Sequence, residues 1–340
     1  MALDELVSVA NAMVAPRKGI LAADESTGTI KKRLDSIDVE STEDSRRAYR
    51  ELLFRTEDIG DFVSGVILFD ETIRQKAADG TPFVDVLNDA GVIPGIKVDA
   101  GAKPLAGAPG EKVTEGLDGL RERLAEYYEI GARFAKWRAV IDIGAGMPSA
   151  YAIDTNTHAL ARYAALCQEA SIVPIVEPEV IMDGDHTAER CQEVTEATLM
   201  ALYKALFEQR VVLEGTILKP NMIVSGTDCP TQAGIDEVAE RTIACFQHTV
   251  PSAVPGICFL SGGQSEEEAT AHLNAMNAKG PLPWELSFSY GRALQASALQ
   301  AWGGRPENVP QAQAAFKHRA HMNSLARSGS YEPSAEQRAA

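Results

Sequence analysis

Eight short apolar, β-rich segments recur along the chain: Gly19–Asp24, Val63–Phe69, Pro94–Asp99, Phe134–Ile141, Ile172–Ile181, Gly215–Asn221, Gly256–Gly263 and Leu286–Arg292. Their starts fall roughly 30 to 45 residues apart, enough each time for a helix and two loops, as consecutive parallel strands require. The stretches between them carry helical patterns. Leu120–Glu129 (LRERLAEYYE) sets apolar residues at helical spacing among charges, and Ala188–Glu208 aligns Leu199, Leu202 and Leu206 on one stripe. Strict alternation of eight strands with helices predicts an α/β protein: a single closed (β/α)8, or TIM, barrel over residues 1–340 with a C-terminal helical extension. An open doubly wound sheet fits less well, because the first turn lacks a glycine-rich dinucleotide fingerprint. No low-complexity linker divides the chain. From about Ser328 (SGSYEPSAEQRAA) the apolar periodicity is lost, so residues 328–340 are expected to form a short flexible tail.

Composition narrows the function classes. Hydrophobic residues are 45% and charged residues 24%, which excludes collagen-like and disordered chains. The formal net charge of −16 disfavours nucleic acid and anionic lipid as partners. An anionic substrate would need Lys and Arg gathered locally. The five cysteines are odd in number and include no CxxC pair, which reads as reduced thiols in a cytoplasmic protein. No apolar run approaches the roughly 18 residues of a membrane span. Met1 to Arg17 lacks the basic and small-residue features of a secretory signal.

Barrel enzymes place their chemistry at the C-terminal ends of strands. Here those ends carry Asp24, then Lys97 and Asp99, then Lys136 and Arg138, then Glu177 and Glu179, then Lys219. Glu177 and Glu179 are two apart, so on a strand both carboxylates share a face. Facing a barrel mouth, they are expected to repel and raise one pKa into the proton-transfer range; the alternative is a solvated strand end. Lys219 closes an apolar strand. It either snorkels outward or becomes a nucleophile toward a carbonyl, a role that a nearby Lys136 would favour by disfavouring its protonation. Ser261-Gly262-Gly263 and Ser289-Tyr290-Gly291-Arg292 follow the seventh and eighth segments, where barrels often hold phosphate. Lys97, Arg33, Ser26 and Thr29 could serve a second phosphate, although Ser26 and Thr27 would also cap a helix. The six histidines form no metal-binding pair, and Asp183-Gly184-Asp185-His186 reads as a polar loop, so no metal or other cofactor is expected.

These residues resemble the class I, Schiff-base, fructose-bisphosphate aldolases. The matching stretches are GILAADEST (19–27), GVILF (65–69), GIKVD (95–99), FAKWR (134–138), VEPEV (176–180), LKPNM (218–222), FLSGG (259–263) and FSYGRALQASALQAWGG (288–304). The resemblance implies a cytoplasmic glycolytic and gluconeogenic lyase without a metal, usually a homotetramer. It implies Lys219 as the imine-forming lysine, Glu177 as general acid/base, Asp24 as acceptor of the C4 hydroxyl proton, Lys136 as electrostatic support and Glu179 as a tuning carboxylate. Ser261, Gly262, Gly263, Ser289, Gly291 and Arg292 resemble the C1 phosphate site. Ser26, Thr29, Arg33, Lys97, Arg46 and Arg138 fall where the other phosphate is handled.

Three positions depart from the family pattern. Ala100 stands where a lysine is usual, and Thr29 replaces a common serine. The family's terminal tyrosine is replaced by an alanine-ended segment, Glu336 to Ala340, with Tyr331 as the last tyrosine. Slower enamine protonation, or protonation by another acid, is the expected consequence. Rival readings are a Schiff-base aldolase preferring sedoheptulose 1,7-bisphosphate or fructose 1-phosphate, a metal-dependent aldolase, and a sugar-phosphate-binding scaffold without turnover.

Overall fold

The computed structural model describes residues 3–339; Met1, Ala2 and Ala340, the extremes of the two terminal stretches discussed above, lie outside it. Ten strands form: β1 (Gly19–Ala23), β2 (Val63–Leu68), β3 (Ile93–Lys97), β4 (Ala102–Pro104), β5 (Lys112–Thr114), β6 (Phe134–Ile141), β7 (Val173–Val180), β8 (Ile217–Leu218), β9 (Gly256–Phe259) and β10 (Glu285–Tyr290). Eight of them close a parallel barrel in the order β1-β10-β9-β8-β7-β6-β3-β2. They are the eight segments read from the sequence. The remaining pair, β4 and β5, is an antiparallel hairpin inserted between β3 and β6.

Helices α1 (Leu3–Met13), α2 (Thr27–Asp35), α3 (Glu43–Phe54), α4 (Asp70–Arg74), α5 (Phe83–Asp89), α6 (Leu120–Ile130), α7 (Ala150–Glu169), α8 (Ala188–Glu208), α9 (Ile235–Thr249), α10 (Glu266–Asn277), α11 (Arg292–Trp302) and α12 (Val309–Ala326) complete the described residues. Side-chain caps start several of them. Thr42 and Ser265 each form a capping box, and Ser149 and Thr187 accept from the backbone N–H groups of Ala152 and Arg190, three positions on.

Period-two alternation decides what each strand shows to the barrel axis. Ile20 and Ala22, Phe134, Val173 and Ile175, Ile217 and Cys258 form one interior cluster, closed from below by Leu6, Ala10 and Met13 of α1. The intervening residues, among them Leu21, Ala135, Trp137, Val176 and Leu218, pack outward against the helices. Glycine makes the interior fit: a Cβ on Gly95 would lie 2.2 Å from the Phe134 ring.

Arg327, just past α12, clasps the chain's two ends together. Its buried guanidinium donates to the carbonyls of Val14 at 2.7 Å, Lys18 at 3.1 Å and Leu286 at 2.6 Å. The stretch after Ser328 differs from the expected flexible tail as far as Glu336. Tyr331 is buried and its hydroxyl donates to Glu336 at 2.9 Å, while Arg319 and His318 hold the same carboxylate at 2.6 and 2.8 Å. These polar anchors, rather than an apolar stripe, fix the segment, which is why periodicity gave no sign of them.

Candidate active site

Continuing the same alternation past the apolar interior layer brings charge to the axis. Ile20 and Ala22 are followed by Asp24, Phe134 by Lys136 and Arg138, Ile175 by Glu177 and Glu179, and Ile217 by Lys219. The β8 ladder is only two residues long. Backbone bonds from Lys219 N to the Val176 carbonyl (2.8 Å) and from Leu260 N to the Pro220 carbonyl (3.1 Å) extend it and fix the lysine. Asn221 accepts from Val180 N at 3.0 Å, pinning the end of β7 beside it.

The four groups form a chain of ion pairs. Lys219 Nζ lies 3.1 Å from Glu177 Oε1, and Glu177 Oε2 lies 3.3 Å from Lys136 Nζ. Lys136 Nζ then lies 2.7 Å from Asp24 Oδ2. Side-chain exposure is 5% for both lysines and Glu177 and 13% for Asp24. Burial alone would raise the Asp24 carboxyl, but Lys136, Lys219 and Lys97 outweigh it and hold it far below the usual carboxylate range. Burial opposes the charge on Lys136 too, yet Asp24, Glu177 and Asp99 raise its pKa well above that of a free lysine. Glu177 is likewise lowered, because Lys136, Lys219 and Arg138 overcome its burial. This corrects the expectation of a raised pKa from Glu177–Glu179 repulsion. Glu179 is paired with Arg138 instead, and three cations face Glu177. Lys136 is also not a free ammonium beside Lys219, since Glu177 stands between the two.

A cleft of about 640 Å³ opens above this chain. Ser26, Thr29, Arg33, Lys97, Arg138, Ser261, Ser289 and Gly291 line it along with Asp24, Lys136, Glu177 and Lys219. Ser26 occupies the N-cap position of α2 but makes no cap bond; its hydroxyl lies 3.2 Å from that of Thr29. Ser289 is 1% exposed, and its Oγ has no partner among the described residues. Gly262 and Gly263 continue the Ser261 turn over Met182, where a Cβ on Gly262 would lie 2.0 Å from the thioether methyl. Arg292 is exposed at the start of α11. Glu179, Gly262, Gly263 and Arg292 adjoin lining residues without lining the cleft themselves, and Arg46 is set apart further. Its guanidinium is committed to both oxygens of Glu71.

Three groups went unforeseen. In the sequence Asp99 is no more than the polar end of a strand. It accepts from Lys97 Nζ at 2.6 Å, Gly101 N at 3.1 Å and Arg138 N at 3.3 Å. Glu25 and Arg50 form a buried pair behind Arg33. Arg50 sits in EDSRRAYRELLF, where one more arginine on a charged helix carries no signal of burial. Ala100 and Gly101 border the cleft directly, next to Lys97 and Asp99, and add no charge of their own. Among the described residues, no three His, Cys, Asp or Glu side chains are grouped to hold a metal ion, and no helix is long and apolar enough to cross a membrane.

Comparison with known proteins agrees with this geometry. The family model described as fructose-bisphosphate aldolase class-I matches residues 5–340. A probable fructose-bisphosphate aldolase class 1 of Xanthomonas campestris pv. campestris is 61% identical over 98% of this chain and 100% of its own length. The cytosolic fructose-bisphosphate aldolase 6 of Arabidopsis thaliana is 58% identical over 98% of this chain and 93% of its own. The Plasmodium falciparum fructose-bisphosphate aldolase, solved in complex with TRAP and a small-molecule inhibitor, superposes with a TM-score of 0.96 at 51% identity, covering 97% and 95% of the two chains. A parallel barrel with a lysine–carboxylate chain at its mouth and a matching relative at every level leave one assignment: the chain belongs to the class I fructose-bisphosphate aldolases.

Proposed function

We propose that the lysine–carboxylate chain carries out the reversible cleavage of fructose 1,6-bisphosphate to dihydroxyacetone phosphate and glyceraldehyde 3-phosphate, the activity of this family, with Lys219 as nucleophile. The observation that carries this reading is the unbroken contact from Lys219 through Glu177 and Lys136 to Asp24. A carboxylate 3.1 Å from Nζ can take its proton, freeing the amine to attack the C2 carbonyl. The carbinolamine loses water as Glu177 returns the proton, leaving a protonated imine. Asp24, held ionised by the surrounding lysines, accepts the C4 hydroxyl proton. The C3–C4 bond then breaks, its electron pair passing into the imine to give an enamine, while the aldehyde leaves. Protonation at C3 and hydrolysis release the second product and restore Lys219. Lys136 stays cationic throughout and steadies both carboxylates. Glu179 fixes Arg138 beside them.

Ser261, Gly262, Gly263, Ser289, Gly291 and Arg292 hold the C1 phosphate with hydroxyls, backbone N–H groups and the start of α11. Ser26, Thr29, Arg33, Lys97 and Arg138 receive the other phosphate. Arg46 is left out of this set because Glu71 occupies it. Tyr331 is held by Glu336 and does not serve as the acid for the enamine, so exchange of tritium from dihydroxyacetone phosphate is expected to be slow. The enzyme acts as a single barrel domain in the cytoplasm, where relatives such as the Arabidopsis protein are named cytosolic. It assembles as a homotetramer, consistent with Met200 and Phe207 exposed on α8; light scattering on the purified chain checks this.

Borohydride reduction in the presence of dihydroxyacetone phosphate and EDTA, followed by peptide mapping, tests the chemistry. The expected result is a stable adduct on Lys219. Ligand binding without an adduct at that residue would overturn the assignment.

A further inference from the structure

In the cleft wall, Glu25 holds an ionic group that the reaction steps above do not use. Glu25 is 7% exposed, and two guanidiniums share its carboxylate. Arg33 reaches one oxygen through Nη1, and Arg50 Nη2 lies 2.6 Å from the other. Gln295 of α11 donates to Glu25 Oε1 at 3.2 Å and to the Ala22 carbonyl at 2.8 Å, and accepts from the Tyr49 hydroxyl at 3.1 Å. Segments from β1, α2, α3 and α11 therefore converge on one carboxylate.

The charge count is uneven. One carboxylate faces two guanidiniums, so the group is net positive by one. The Arg50 side chain is 2% exposed and its Nη1 has no partner among the described residues, so it cannot offer its charge to the cleft. Of the two guanidiniums, only that of Arg33, whose side chain is 20% exposed, lines the cleft, beside the Glu25 it pairs with. Arg33 lies on the helical face of Ser26 and Thr29, seven and four residues behind it. On its other side, Nη2 approaches Gly291, lying 3.5 Å from where a Cβ there would sit. An arginine needed only for its charge would not require a second, buried guanidinium behind its partner. Sharing Glu25 leaves Arg33 anchored yet under-neutralised, which suits a fixed anion receptor.

We infer that Glu25, backed by Arg50, is a positioning residue that fixes the Arg33 fork toward the Ser26–Thr29 side of the cleft and thereby sets the preference for ketoses carrying a second phosphate. The inference rests on the reading of Ser26, Thr29 and Arg33 as the second-phosphate site.

The test is a double-mutant cycle of Glu25→Gln and Arg33→Ala in the full-length enzyme, with kcat and KM measured on fructose 1,6-bisphosphate and fructose 1-phosphate. Glu25→Gln is expected to raise KM for the bisphosphate about tenfold with kcat held within about twofold, and to change the monophosphate by less than about twofold. In the Arg33→Ala background it should add no further loss. Equal losses on both sugars, or full additivity with Arg33→Ala, would overturn the positioning role. Arg33→Ala without effect on bisphosphate preference would instead overturn the second-phosphate reading itself, and the inference with it. Should Glu25→Gln fail to fold by circular dichroism, Arg50→Lys, which keeps the charge and loses the fork, is read by the same substrate ratio.

Discussion

The two ends of the cleft solve opposite problems. At the axis, Lys219, Glu177, Lys136 and Asp24 are buried ions on or just beyond strands, and each is already paired with another. At the rim, Ser26 makes no cap bond, its hydroxyl meeting that of Thr29, and Ser289 Oγ has no partner among the described residues. A buried charge without a counter-ion is intolerable, so reactive ions must be assembled with their partners before substrate arrives. A lone hydroxyl costs far less, so binding groups can wait unsatisfied for a ligand. The axial end is stable because it is reactive; the rim is reactive to anions because it forgoes some stability.

Four measurements would break or sharpen that contrast. Lys219→Met is expected to lower kcat by about 10⁴-fold or more, as for loss of a nucleophile, while the variant still binds dihydroxyacetone phosphate; substantial residual turnover would break the contrast at its centre. Asp24→Asn should cost about 10²- to 10⁴-fold in kcat, the range for a lost proton acceptor, and should also lower Tm because Lys136 loses a buried partner. Ser289→Ala should do the reverse on stability. KM for fructose 1,6-bisphosphate should rise about tenfold while Tm is unchanged or higher, since removing an unpartnered buried hydroxyl relieves a cost of about 1–3 kcal/mol. A fall in Tm for Ser289→Ala would show that the rim is structural after all.

The smallest effect is read in acid. The folded-state pKa of Asp24 lies below its unfolded value, so its pairing stabilises the fold fully above about pH 4 and is lost as pH falls through the folded value. Lys136 is shifted upward, so its contribution is fully present below about pH 10.4 and is lost only as pH rises further. The stability gap between wild type and Asp24→Asn should therefore be flat between neutral pH and about pH 4. Below that it should narrow by about 1.4 kcal/mol per pH unit. A gap unchanged at pH 3 would mean that the ion pair adds nothing to stability.

Legibility in the sequence followed the same division. All eight barrel strands were readable because strands buried on both faces are continuous apolar runs, and a charge closing such a run stands out, as Lys219 does after Thr216-Ile217-Leu218. The β4–β5 hairpin is not legible because its strands are only three residues long, too short for a periodic pattern, and β4 is exposed throughout. Which ions pair was also unreadable. Glu177 and Glu179 look like a repelling dyad until strand register sets Arg138 opposite Glu177 and its guanidinium against Glu179. Arg46 and Arg50 are four residues apart on α3, yet one turns to Glu71 and the other to Glu25. Spacing alone ranks them equally, and only tertiary packing tells them apart.

The Arg327 clasp bears on how the protein is made. β1 finds one neighbour in β2 early, but its other neighbour, β10, is among the last elements to be synthesised. Until residues 285–290 leave the ribosome, the nascent sheet carries two bare edges, β1 and β9. Arg327 cannot draw Val14 and Lys18 onto Leu286 until two further helices, α11 and α12, have followed. The hazard of edge-to-edge misassembly is therefore concentrated late in translation, when nearly all the apolar surface is present and the ring is still open. A chain stalled before Arg327 is the form in which a holding chaperone would matter most.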